Sequence, residues 1–217
     1  MEKVVVVGGS GFIGSHVADC LSDNGYQVTI FDCIYSPWLR QDQNMVIGDI
    51  SDADALKKTI KGAKFVYNFA ALADLNQALD KPIETATINI LGNLNVLEAC
   101  RIHKVERFVY ASTVYVYSRE GSFYKCSKQS SEQYVEEYQK VYDLDYTIMR
   151  YGSLYGPRAD DTNGIYRIVK LALETGKVEY KGNIESMREY IHVGDAARAS
   201  ISILDQAFKN ESIIVTG

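Results

Sequence analysis

The sequence lacks a C-x-x-C pair: its four cysteines, Cys20, Cys33, Cys100 and Cys126, fall at no spacing that suits a metal. Structural zinc is set aside, no metal is expected, and reduced thiols in a cytoplasmic protein are the reading. His16 and His103 have no ligand-type partners and receive no role. Long basic runs are missing too, and with a net charge of -5 the sequence argues against a nucleic-acid surface. No apolar stretch is long enough to span a bilayer, and Met1-Glu2-Lys3 lacks the layout of a signal peptide, so no membrane partner is expected. Repeats and low-complexity linkers are also absent. The chain therefore reads as one domain over 1–217, with substrate-side elements at about 151–193.

The 47% hydrophobic content can fill a complete core. Val4 to Val7 is an unbroken valine run, the pattern of a strand buried on both faces of a parallel sheet. It opens onto Gly8-Gly9-Ser10-Gly11-Phe12-Ile13-Gly14, where Gly8, Gly11 and Gly14 allow a tight turn, close approach of a pyrophosphate and packing of the following helix. That helix runs through Leu21. A second strand, Gln27 to Phe31, delivers Asp32 at the interval expected of an acid that binds ribose hydroxyls and repels a 2′-phosphate. NAD rather than NADP is the cofactor this implies.

Further strands are expected at Asn44–Ile47, Lys64–Phe69, Arg107–Ala111 and Asp145–Arg150, with short ones at Val178–Tyr180 and Ser212–Thr216. Ser51 is expected to cap a helix. Asp49 and Ile50 could flank an adenine, or Asp49 could simply make an Asx turn. Phe69-Ala70-Ala71 offers small residues against which a dinucleotide could lie. Apolar residues at helical spacing from Ile83 to Cys100 predict a long helix for the core or for a dimer contact, and Ile165–Leu173 and Asp195–Leu204 read as helices as well. The fold class is therefore α/β: a Rossmann-like doubly wound parallel sheet with a small, or shortened, substrate-side region.

Tyr124 and Lys128 stand four residues apart in a helix-compatible segment, which stacks them on one face. An ammonium there favours the phenolate, so Lys128 is expected to make Tyr124 a usable acid and base near neutral pH. Thr113, or less favourably Ser112, lies at the carboxyl end of the fifth strand, where open parallel sheets gather their chemistry. A hydroxyl from there could meet the same substrate oxygen.

As an ordered set, these motifs resemble the extended short-chain dehydrogenase/reductases, specifically the NAD-dependent sugar epimerase/dehydratase family, from Lys3 to about Gly217. Asn89, Arg150-Tyr151 and Arg188-Glu189-Tyr190-Ile191-His192-Val193-Gly194-Asp195 belong to the resemblance. It implies that Tyr124 is the acid/base, that Lys128 binds the nicotinamide ribose and tunes Tyr124, and that Thr113 is the hydroxyl partner. By the same resemblance Tyr151 lies near the nicotinamide and Arg188 binds a substrate diphosphate, although Arg188 could equally be surface charge. Gly152-Ser153 stands where the family commonly has an asparagine that touches substrate, and Ser153 can replace part of its role. Only six residues separate Tyr117 from Tyr124, fewer than in the family, whose members also continue beyond the strand on which this sequence ends.

The function implied is NAD-dependent epimerisation of a nucleotide-diphosphate sugar by a homodimer. A dehydratase or reductase, or a non-catalytic NAD-binding module, is the alternative. Against 4,6-dehydration, the two positions after Thr113 are Val114 and Tyr115, where the dehydratases this chain resembles carry an acidic pair. Asp160 and Asp161 are the other candidate acids.

Overall fold

The computed structural model describes residues 1–178 and 188–217. Strand β1 (Lys3–Val7) leads through the glycine turn into helix α1 (Phe12–Asp23), then β2 (Gln27–Asp32), β3 (Asn44–Ile47), α2 (Ala53–Ile60) and β4 (Phe65–Asn68). Helices α3 (Leu75–Asp80) and α4 (Pro82–Ala86) follow. A π-helical turn (Thr87–Gly92) then continues into α5 (Asn93–His103). Strand β5 (Arg107–Thr113), a 3-10 turn (Val114–Tyr117), the long helix α6 (Ser122–Tyr142) and β6 (Tyr146–Tyr151) come next. The chain closes with β7 (Ser153–Tyr155), α7 (Gly164–Thr175), β8 (Tyr190–His192), α8 (Val193–Ser202), a 3-10 turn (Gln206–Phe208) and β9 (Glu211–Val215).

Seven strands form one parallel sheet in the order β3-β2-β1-β4-β5-β6-β9, while β7 and β8 pair separately. The valine run explains the layering. Val5 and Val7 face α2, α5 and α6, packing in one core with Leu56, Ile60, Val96, Leu97 and Val135. Val4 and Val6 face the other side, with Val17, Ala18 and Leu21 of α1 and Ala196 and Ala197 of α8. Both faces of the strand are thus dry, as an alternating sequence would not permit. The order reverses between β1 and β4, which opens a crevice beyond their carboxyl ends.

The helix expected over Ile83–Cys100 is present, but a π turn interrupts it. Helix α2 is capped by Asp52, whose side chain accepts from the Asp54 and Ala55 amides, and not by Ser51. One carboxylate satisfies two orphan donors there, which a residue one place earlier does not reach. Of the short strand expected at Val178–Tyr180, all but Val178 lies outside the described residues.

Candidate active site

The glycine turn is pressed against the end of β4. A Cβ on Gly8, whose φ is +78°, would lie 2.4 Å from the Ala70 amide nitrogen, and one on Gly14 would lie 2.2 Å from the Gly8 carbonyl oxygen. No larger residue fits either place. A Cβ on Gly11 would meet only the Gly8 oxygen, at 3.4 Å, so the turn keeps an open outer surface. Gly11 also caps α1 without a side-chain hydrogen bond, and the first turn, with Phe12 and Ile13, holds no acid. Amides of that kind at a helix start suit an anion such as a pyrophosphate. Asp32 bridges from β2: its carboxylate accepts from the Ser10 amide at 2.9 Å and from the Ile34 amide at 3.1 Å. The donor and acceptor set of turn and acid fits a dinucleotide.

Farther along the crevice the fit is uneven. Phe69 is half-buried, stacked on Tyr67, and Ala70 is anchored by its amide to Asn68 Oδ1 at 3.1 Å. Ala71 follows it on a loop held by the Asn89 side chain, whose Oδ1 accepts from the Leu72 amide and whose Nδ2 donates to the Leu72 carbonyl. Asp49 makes the Asx turn, accepting from the Ser51 amide at 2.8 Å, and these bonds hold its carboxyl below the usual range. One expectation is corrected here. Ile50 is buried in the core, packed against Gly92 of the π turn, and its side chain is not available to flank an adenine. Tyr151 is also in the core, its hydroxyl 2.6 Å from Ser200 Oγ. Alternation along β6 sends Arg150 to the α6 face and Tyr151 to the α8 face, where its ring lies 6.2 Å from that of Phe69.

At the end of β5 the same alternation separates the two hydroxyl candidates. Ser112 donates to the buried carboxylate of Glu132. Thr113 Oγ1 accepts from the Tyr115 amide at 3.2 Å and lines a cleft of about 530 Å³, with Val114, Tyr115, Ser118, Gly152, Ser153, Arg188 and Glu189. The cleft brings Thr113, Ser153 and Arg188 together, and Arg188 Nη1 donates to the Tyr115 phenol at 3.1 Å. Glu189, beside Arg188 in the quoted motif and passed over by sequence reasoning, also lines the cleft, and its main-chain carbonyl accepts from the Ser153 amide. Asp160 and Asp161 do not line it: Asp160 holds Thr162 and Asp161 pairs with Lys170.

Helix α6 holds Tyr124 half-buried and Lys128 fully buried. Lys128 Nζ donates to the Ala111 carbonyl at 2.6 Å and lies 4.8 Å from the Tyr110 ring centroid and 5.8 Å from that of Tyr124. Burial pulls the Lys128 pKa down to about 7, against an upward pull from Glu132. Burial also pushes the Tyr124 phenol well above its ordinary value, and Tyr115 adds to that shift. The expectation that Lys128 lowers Tyr124 is thereby corrected: desolvation opposes charge on both groups, raising the one and lowering the other. A π turn shapes the back of the site. Asn89, within it, donates to Ser127 Oγ at 2.9 Å, while its main-chain carbonyl accepts from Ser131.

Against known proteins, the profile of the "NAD dependent epimerase/dehydratase family" matches residues 4–217. The fold superposes on the Thermotoga maritima UDP-glucose 4-epimerase solved with UDP-glucose, with a TM-score of 0.92 and 29% identity, covering 99% of this chain and 76% of that one. The Bacillus cereus UDP-glucuronic acid 4-epimerase, solved with UDP-glucuronic acid and NAD, gives a TM-score of 0.90 at 26% identity, covering 99% and 77%. Among curated proteins, a UDP-N-acetyl-alpha-D-glucosaminuronate decarboxylase of Bacillus cytotoxicus is 28% identical, over 98% of this chain and 74% of its own.

Proposed function

Because the chain belongs to the NAD dependent epimerase/dehydratase family, we propose that it inverts one carbon of the sugar in a nucleotide-diphosphate sugar by transient oxidation and reduction. The observation that carries this reading lies at the carboxyl end of β5, where Thr113 lines a cleft bearing Arg188 and Lys128, held to Ala111 of the same strand, stands beside the Tyr124 ring. NAD, when bound, supplies the hydride acceptor and donor. Gly8, Gly11, Phe12, Ile13 and Gly14 would hold its diphosphate, Asp32 its adenosine ribose, and Phe69, Ala70 and Ala71 the strand-side wall.

Tyr124, as its phenolate, takes the proton of the sugar hydroxyl while Thr113 donates a hydrogen bond to the same oxygen, its lone pair being engaged by the Tyr115 amide. The Lys128 ammonium steadies the phenolate that Tyr124 must form before that transfer, against the upward push of burial on its phenol. Arg188 and Ser153 hold the substrate, and Tyr124 returns the proton after the keto-sugar has turned.

A dehydratase is the second reading, because an acidic residue, Glu189, is among those lining the cleft. Incubation of UDP-, GDP- and dTDP-sugars with NAD in deuterated water separates the two. Inversion without solvent deuterium is expected. A 4-keto-6-deoxy product carrying deuterium would overturn epimerisation in favour of elimination.

The reading includes a cytoplasmic homodimer. Its support is the apolar surface of α4 to α6, where Ile83, Leu91, Tyr134, Val141 and Tyr142 are exposed. Among the described residues no helix is long and apolar enough to cross a membrane.

A further inference from the structure

Glu132 takes no part in the chemistry above, yet it is a charged side chain only 7% exposed, one helical turn beyond Lys128. Burying a carboxylate is costly unless it is paired and hydrogen-bonded. Here both conditions hold. Arg150 of β6 donates through Nε to Oε1 at 3.0 Å and through Nη2 to Oε2 at 2.6 Å, and Ser112 Oγ donates to Oε1. Ser112 and Ala111 are neighbours on β5, and each is gripped from α6, Ser112 by Glu132 and Ala111 by Lys128. Thr113 is the next residue on that strand. Two consecutive strand residues tied to side chains one turn apart fix how β5 and α6 slide past each other, and hence the position of Thr113 relative to Tyr124.

We propose that Glu132 is a positioning residue of the Thr113–Tyr124–Lys128 site, acting through Ser112 on the strand end and through the charge it places one turn beyond Lys128. The inference rests on the epimerase reading for its catalytic consequence, but not for its electrostatic one. Among the described residues the groups around Lys128 are few. Its own helix contributes Tyr124 and Glu132, with Tyr115 beyond Tyr124; β5 contributes Tyr110; and Arg150 of β6 lies behind Glu132. The π turn carries no titratable side chain, α3 and α4 carry only the exposed Asp80 and Glu84, and Glu98 of α5 meets the far end of α6 at Tyr138. Glu132 is therefore the negative charge that opposes the effect of burial on Lys128.

The test is a direct titration of Lys128, by carbon NMR of lysine side chains in the full-length chain, with Lys128→Met for assignment. In Glu132→Gln the Lys128 resonance is expected to titrate at lower pH than in the wild type, by about one unit, the effect of an opposite charge at close range. The alkaline limb of the turnover profile is expected to move the same way, with turnover lowered about tenfold or more, and Glu132→Asp should restore the limb. A variant that folds and leaves the Lys128 titration where it was overturns the proposal. If Glu132→Gln does not fold because Arg150 is stranded, Glu132→Gln combined with Arg150→Gln leaves no unpaired charge and is judged by the same titration. Failure of the wild type to invert any nucleotide sugar would instead defeat the epimerase reading and leave the titration to decide the role of Glu132.

Discussion

Lys128 has to hold a positive charge where burial works against it, and that tension can be measured. Its pKa lies near 7 in the fold and at 10.5 as a free side chain. Between those values the unfolded chain binds more protons than the folded one, so this residue makes stability rise with pH across that window and contributes no pH dependence below it. Thermal melts of wild type between pH 7 and 9 should show this rise, on the order of 2 kcal/mol at most. Lys128→Met should lack it, and equal slopes for the two proteins would contradict the assignment. Tyr124 acts on the substrate, so Tyr124→Phe should leave NADH fluorescence titrations nearly unchanged and lower turnover by ~10²–10⁴-fold. Undiminished turnover would remove Tyr124 from the mechanism. Asp32, held between the Ser10 and Ile34 amides, presents its charge at the turn. NADH should therefore bind more tightly than NADPH, and equal affinities would contradict the role given to Asp32.

At the scale of elements, the glycine turn and α1 form a unit whose geometry leaves little latitude. Gly14→Ala would drive a methyl into the Gly8 carbonyl. It should cost on the order of 1–3 kcal/mol in urea unfolding, the usual penalty for overpacking, and weaken NAD binding as well. An unchanged midpoint would mean that the turn relaxes freely. The π turn has a comparable local logic. Its extra residue leaves the Asn89 carbonyl to Ser131, and the Asn89 side chain to Leu72 and Ser127, so the loop after β4 is fastened to α6. Such turns are frequent at functional sites.

For the whole molecule, the apolar residues left exposed along α4 to α6 lead to an expected two-fold dimer. Light scattering at micromolar concentration should give twice the chain mass, and a monomer would count against this.

What the sequence determined by itself is the sheet and its switch point. Buried parallel strands require continuous apolar runs, and Val4–Val7 and the strands near Phe65, Phe108 and Ile148 are legible for that reason. The glycine turn and Asp32 were readable because their spacing is dictated by backbone geometry alone. Tertiary structure decided which way side chains face and what surrounds them. A one-residue difference in alternation sends Tyr151 to the core and Ser112 to Glu132 while Thr113 keeps the cleft. The three-residue strands β7 and β8 are too short to leave a periodic signal, so nothing in the chain announced that they would bring Arg188 over Tyr115. The Glu132–Arg150 pair was equally hidden, since it joins residues 18 apart on different elements. Proton affinities came last: the Tyr124–Lys128 spacing promises attraction, but burial depends on the whole fold, and here it opposes charge on both groups.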